Sequence, residues 1–388
     1  MTAGSGSAPG GRGSAPGGSA PDGRLRVGLV GAGIIAQVMH LHYLAELSDL
    51  YDVRAVCDIA TDNARACAQR YGIPVACTDW RDLIAEPIDA VLVATSGSHA
   101  PVAIAAAEAG RHVLVEKPMC FSTGEGRAMV AAAEQSGVVL MVGYPKRYDP
   151  GYARFRQEAG ELTDPRLVRV TTLEAPFQPY VAHYPLLPPA RPPAEIAARL
   201  RAESLAAAEA AIGPASELEL RVYTGVLLDT LVHELNTVRG LLGEPDLLEY
   251  ADLSEHAVTV LLRFGAVRVA IHWIDLPGIA RYEMEFAVYA PDRRVTLTFP
   301  SPYLRNEPSA VIVEGGGTET ARSWRREEIA GYQSGFRAEL EAFAACITSG
   351  AEPVTSGRDG LADIALCQAI ISCHRDRRPV PSPTAAGP

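Results

Sequence analysis

Lysine is scarce in this chain: of its 35 basic residues only Lys117 and Lys146 are lysines. Arginine supplies positive charge everywhere else. A guanidinium stays charged near neutrality, whereas a desolvated ammonium can give up its proton, so a retained lysine marks a place where arginine would not serve. That reading is sharpest for Lys117; for Lys146, incidental retention competes with it. A basic stripe is also lacking, and the net charge is −11. That argues against a dominant nucleic-acid or anionic-membrane role, because phosphate contacts need clustered Lys and Arg. No apolar run approaches the roughly 18 residues of a membrane helix, which predicts a soluble chain. The N-terminal stretch MTAGSGSAPGGRGSAPGGSAPDG has neither an apolar core nor a twin arginine. It is therefore not read as a secretion signal, and a cytoplasmic location is expected. The seven cysteines are scattered without C-x-x-C or metal-ligand spacing, so free, mostly buried thiols and no metal site are expected.

What remains is ordinary globular composition, 48% hydrophobic and 21% charged. At 388 residues the chain exceeds what one core usually sustains, so two domains are predicted. Residues 1–23, rich in Gly, Ser, Ala and Pro, form a flexible tail, and 381–388 a second one. From residue 24 to 145, short apolar runs alternate with helical stretches. RVGLV (26–30), VRAVC (53–57), AVLVAT (90–95), HVLVE (112–116) and VVLMVG (138–143) read as strands buried on both faces. Helices are expected at about 34–47, 61–71, 99–109 and 123–136. This alternation predicts a Rossmann-type, doubly wound parallel sheet.

Over 146–380 the rhythm changes. Six strand-like segments, from RLVRVTTLEA (166–175) to RRVTLTF (293–299), predict a large, mostly antiparallel open sheet. Helices at about 226–241, 335–349 and 360–374 would cover it. Residues 176–217 interrupt it with a proline-dense segment and a strong helix former. A lid, an oligomer contact and a passive surface insertion are all open readings.

Gly31-Ala32-Gly33-Ile34-Ile35-Ala36 closes the first strand and opens the first helix, giving G-x-G-x-x-A in the context a dinucleotide requires. Gly31 makes the turn, Gly33 lets backbone approach a diphosphate, and small Ala36 permits close helix packing. The N–H groups around Ile34 and Ile35 face the phosphate. Asp58 ends the second strand, where a carboxylate would accept hydrogen bonds from the adenosine ribose and repel a 2′-phosphate. NAD is therefore favoured, with NADP possible; a helix cap is the competing role for Asp58. The next strand end carries Thr95, Ser96 and His99, candidate cofactor contacts, against which stands Ser98 as a simple cap with His99 merely exposed.

Glu116, Lys117 and Pro118 end a later strand of the same sheet and face the same crevice. A dry pocket beside a cationic nicotinamide should lower the Lys117 pKa, fitting it to polarise a carbonyl or relay a proton. A structural Glu-Lys pair is the competing reading. Farther on, Asp229 and His233 lie one helical turn apart, so a histidine steadied by a carboxylate is a candidate proton acceptor. Such a pair taken alone also fits an ordinary core or surface contact.

The ordered set G-x-G-x-x-A, Asp58, HVLVEKP, LLDTLVH and RGLLGEP resembles the glucose-fructose oxidoreductase and inositol dehydrogenase family, Gfo/Idh/MocA. The likeness extends through FRAELEAFAACITSGAEPVTSGRDGLADIALCQAI, from about residue 25 to 380. It implies a Rossmann domain followed by an open-sheet α/β domain, NAD(P)-linked oxidoreduction and a homodimer or homotetramer. The family's catalytic lysine falls on Lys117, and its Asp and His on Asp229 and His233, with His the usual acid/base. GYPKRYDP (143–150) would place Lys146 and Arg147 near cofactor or substrate. Ser96-Gly97 stands where many members have Pro-Asn, Pro145 replaces an asparagine, and 176–217 is longer than usual. The implied reaction is hydride transfer between nicotinamide and a secondary alcohol or ketone of a sugar, cyclitol or related polyol, including nucleotide-linked or phosphorylated forms. An imine or amine oxidoreductase and a non-catalytic dinucleotide sensor are the competing functions.

Overall fold

A computed structural model describes residues 23–188, 192–317 and 322–377. Apart from Gly23, the two expected terminal tails lie outside these residues. The first sheet contains β1 (Leu25–Val30), β2 (Tyr51–Cys57), β3 (Val75–Cys77), β4 (Ala90–Val93), β5 (His112–Glu116) and β6 (Leu140–Gly143). All pairings are parallel and the strand order is β3-β2-β1-β4-β5-β6. β4 and β6 are buried along their whole length, as expected for strands sandwiched between helix layers. The order reverses between β1 and β4, so the crevice for a ligand opens at their carboxyl ends. β3 and the short helix Trp80–Ala85 were not legible in the sequence: β3 has only three residues, none fully buried.

The second sheet contains β7 (Leu167–Glu174), β8 (Leu247–Leu253), β9 (Ala257–Phe264), β10 (Val267–Asp275), β11 (Glu283–Tyr289), β12 (Arg293–Phe299), β13 (Ala310–Gly317) and β14 (Arg322–Ile329). Their order is β14-β13-β12-β11-β7-β10-β9-β8. Every pairing is antiparallel except β7 with β10. β9 alternates buried and half-buried residues along its length, which leaves one face for helices and one for solvent. Helix Pro150–Gly160 packs on β12 and β13, and helix Gly357–Asp376 on β8. A continuous apolar cluster runs from Val30 and Val93 through Leu227 and Ile371 to Val260 and Val313, joining the two sheets.

Two predicted helices contain wide, i→i+5 bonded turns. One covers Ala36–His40 ahead of Leu41–Glu46, and the other Tyr223–Leu231 ahead of Val232–Leu242. Such turns concentrate at functional sites. Here the first follows the glycine turn and the second carries Asp229. Among the described residues, no helix is long and apolar enough to cross a membrane.

Candidate active site

The glycine turn has the shape a diphosphate needs. Gly31 has φ +97°, and a Cβ there would sit 2.4 Å from the Ala94 carbonyl oxygen, so both its backbone and its surroundings exclude a side chain. At Gly33 a Cβ would meet nothing within 4 Å. That open side is where a phosphate can approach the first-turn N–H groups, which have no intrahelical acceptor. Ala36 is fully buried against the sheet. The residues present therefore fit a dinucleotide.

Asp58 is bound into this turn. Its Oδ2 accepts from the Ala32 N–H at 3.0 Å and the Asn63 amide at 2.8 Å, while Oδ1 accepts from the Ala60 N–H at 2.8 Å. The carboxylate thus ties the glycine turn to the following helix. The helix's N-cap is Ala60, without a side-chain cap, so Asp58 ties the turn from outside the helix and is not its cap, and Oδ1 keeps acceptor capacity for a ribose hydroxyl.

At the end of β5, Glu116 and Lys117 point different ways. Glu116 is buried and 2.7 Å from His40 Nε2. Burial pushes its carboxyl up, but His40 and Lys117 more than offset this and hold it below the usual range. The Lys117–Pro118 peptide is cis. His99 fixes the outside of this turn, with Nδ1 2.7 Å from the Pro118 carbonyl and Nε2 2.7 Å from the Thr95 carbonyl. Both ring nitrogens face carbonyl oxygens, so the neutral imidazole donates to one of the two, and the residue is 1% exposed. His99 is therefore not the exposed residue of a simple cap but a buried clamp between two loops that also borders the cleft.

Lys117 reaches across to the second wide turn, donating to Asp229 Oδ1 at 2.7 Å and to the Asp229 carbonyl at 2.6 Å. Burial pushes the ammonium down, but the Asp229 charge and hydrogen bond, with Glu116, raise it above its ordinary value. This corrects the expectation of a lowered Lys117 pKa: the acid facing it was not visible from the β5 sequence. It also changes the partner of Asp229, whose carboxylate engages Lys117, not His233. His233 instead stacks edge-on against Tyr144, and its Nδ1 is buried without a partner. Burial, with Lys146 and Lys117 nearby, pushes its pKa well down, so the imidazole stays neutral.

Lys146 has the property expected of Lys117. It is 7% exposed, and burial lowers its ammonium pKa despite the charge of Glu234. Burial correspondingly raises Glu234, whose Oε1 accepts from Thr172 while Oε2 has no partner. Arg147 points elsewhere. Its guanidinium donates to the Asn236 carbonyl and side chain at 3.0 Å and lies 3.7 Å from Asp359. The expectation of a substrate contact from Arg147 is therefore not met, because consecutive residues of the tight turn Pro145–Tyr148 diverge.

These groups share a cleft of about 630 Å³. Gly33, Ile34, Ile35, Thr95 and Ser96 line one end; Lys117, Lys146, Asp229 and His233 line it from the other elements. Asp58 and Arg147 are not among its lining residues. Sequence reasoning missed Tyr303, Thr224 and three residues of the inserted helix, Arg201, Ser204 and Leu205. The signal for the last three lay in their i, i+3, i+4 spacing within 176–217. Among the described residues, no group of three or more metal-ligating side chains converges.

Comparison with known proteins matches the arrangement. A model described as "Oxidoreductase family, NAD-binding Rossmann fold" (GFO_IDH_MocA) fits residues 25–144. Myo-inositol 2-dehydrogenase of Thermotoga maritima is 25% identical over 368 residues, 92% of this chain and 98% of that relative. Inositol 2-dehydrogenase of Rhizobium meliloti is 25% identical over 365 residues, again 92% of this chain and 98% of the relative. Among solved structures, a levoglucosan dehydrogenase complexed with NADH and levoglucosan superposes with TM-score 0.70 at 21% identity, covering 91% of this chain and 97% of that one. KijD10, a 3-ketoreductase from Actinomadura kijaniata complexed with TDP-benzene and NADP, gives TM-score 0.68 at 20% identity, covering 90% and 98%. These two structures bear on fold alone. The glycine-turn region, residues 25–144, is thus similar to the Gfo/Idh/MocA oxidoreductases, and relatives at 25% identity align along nearly the whole chain.

Proposed function

We propose that this protein is an NAD(P)-dependent dehydrogenase or ketoreductase acting on a secondary alcohol or ketone of a sugar, cyclitol or related polyol. One observation carries the reading: Lys117 at the end of β5 and Asp229 on a distant helix meet at 2.7 Å in the cleft that also holds His233 and the open side of Gly33. Residues 24–145 form the dinucleotide-binding part and 146–380 the substrate-binding and oligomerisation part. The relatives' names, inositol and levoglucosan dehydrogenases among them, support a polyol. A bound nicotinamide supplies the acceptor or donor of a hydride. Gly31, Gly33, Ile34, Ile35 and Ala36 would shape its diphosphate seat, Asp58 would accept from its ribose and favour NAD, and Thr95 and Ser96 would border it.

The protein's own groups then handle the oxygen and its proton. Neutral His233 accepts the hydroxyl proton in the oxidative direction. The Lys117 ammonium, aimed by Asp229 and backed by Glu116, stabilises the negative charge that develops on the oxygen. Lys146 adds a second positive group at the substrate end of the cleft. The working form is a cytoplasmic homodimer or homotetramer.

The test is a screen for reduction of NAD and NADP with sugars, cyclitols and their phosphorylated or nucleotide-linked forms. Turnover of at least one polyol, abolished in Lys117→Ala, is the expected result. Turnover confined to amino or imino compounds would overturn the substrate class, and binding of a dinucleotide without any turnover would leave a sensor.

A further inference from the structure

The inserted helix Ala194–Ile212 carries Arg201, Ser204, Leu205, Ala208 and Ile212 on one stripe, at i, i+3, i+4, i+7 and i+11. The C-terminal end of this stripe is core: Ala208 is 0% and Ile212 8% exposed. It is pinned by Gln368 Nε2 donating to the Ala211 carbonyl and Arg375 Nη1 to the Ile212 carbonyl at 2.5 and 2.6 Å. The N-terminal end of the same stripe hangs over the cleft. There Leu205 is 49% exposed although it continues a buried face, and Arg201, Ser204 and Leu205 all line the cavity.

Two observations locate what this end faces. The Ser204 hydroxyl lies 3.0 Å from where a Cβ on Gly97 would stand, so this turn of helix rests on the loop after β4. That loop and the glycine turn after β1 flank the crevice where the strand order reverses. Arg201 is also unspent. Its neighbour Arg199 pairs with Glu203 at 3.6 Å, whereas Arg201 has no ion pair or side-chain hydrogen bond among the described residues.

We infer that Arg201 binds the diphosphate of the dinucleotide, so that the inserted helix closes the cofactor site from the side opposite the glycine turn. The inference rests on the oxidoreductase reading above. A guanidinium presents paired donors in a plane that matches phosphate oxygens, and the first-turn N–H groups near Gly33 leave the outward-facing oxygens free for it. Leu205 then covers apolar surface of the bound cofactor, which accounts for its exposure here. The inserted helix Ala194–Ile212 is on this view part of the cofactor site, not a passive insertion.

Titration of NADH fluorescence, without substrate, tests this in the full-length protein. Arg201→Ala should weaken NADH binding about tenfold, and the dependence of log Kd on log salt should become shallower. Arg201→Lys, which keeps the charge and loses the fork, should recover part of the affinity. Equal NADH affinity and salt slope in wild type and Arg201→Ala would overturn the assignment; a raised KM for a phosphorylated substrate alone would show that the anion is the substrate's. Failure of the wild type to bind NADH or NADPH would sink the oxidoreductase reading, and this inference with it.

Discussion

The two lysines occupy opposite electrostatic situations within one cleft. Lys117 is partly exposed and held by an acid from another element, so its charge is stabilised and its pKa is raised. Lys146 is buried near Glu234 without a direct contact, so its charge is disfavoured and its pKa is lowered. The difference shows that a lysine ending a parallel strand need not be the one that titrates. What matters is whether an opposing acid reaches it. Lys117 is the fixed charge of the site, Lys146 the adjustable one, and burial together with both charges keeps His233 neutral.

The largest expected effect is on proton transfer. His233→Asn removes the acceptor and should lower kcat by about 10²- to 10⁴-fold, measured by steady-state cofactor reduction, with NADH binding retained. Lys117→Met should cost about 10²- to 10³-fold in kcat. If Lys146→Met were the more damaging of the two lysine variants, the comparison between them would be reversed.

Asp229→Asn separates a charge-holding role from a histidine-steadying one. Asp229 raises the Lys117 pKa, so its loss lowers that pKa, and the alkaline limb of the kcat/KM–pH profile should move to lower pH. An acid-limb shift alone would instead show that Asp229 acts on His233. Lys146→Met works on the other limb. The Lys146 charge depresses the His233 pKa, so removing it raises that pKa and moves the acid limb to higher pH. The smallest effect is at Asp58, where Asp58→Ala should relax preference for NAD over NADP by about tenfold, since one like-charge contact screened by bulk water is worth on the order of 1 kcal/mol. Unchanged preference would leave Asp58 as a structural tie alone.

The parallel sheet and its glycine turn were legible because long apolar runs and helices alternate, and because Gly31 and Gly33 stand at a strand-to-helix junction. β13 and β14 were not: β13 ends in three glycines, and β14, RSWRREEI, is polar and exposed along almost its whole length. Its strand character comes from pairing with β13, which no local pattern announces. Lys117, Asp229 and His233 were legible as a set through the ordered family motifs that contain them, since Asp229 and His233 alone also fit an ordinary core or surface contact. Their pairing was not. Spacing of four residues suggested Asp229 with His233, but the ion pair joins residues 117 and 229, a contact made only by the fold. Arg147 failed for a local reason, since a one-residue step along a tight turn sends its guanidinium to Asn236 while Lys146 enters the cleft. The insertion was legible as a helix, yet its burial pattern, which aims Arg201 at the cleft, needed the packing of Ala208 and Ile212.

The most direct measurement is a crystal structure of the protein with NADH and a polyol it turns over. Lys117 Nζ and a His233 ring nitrogen should both lie within hydrogen-bond reach, about 2.6–3.2 Å, of the same substrate oxygen beside the nicotinamide. A polyol seated with that oxygen against only one of them, or a nicotinamide outside the cleft they share, would contradict the account.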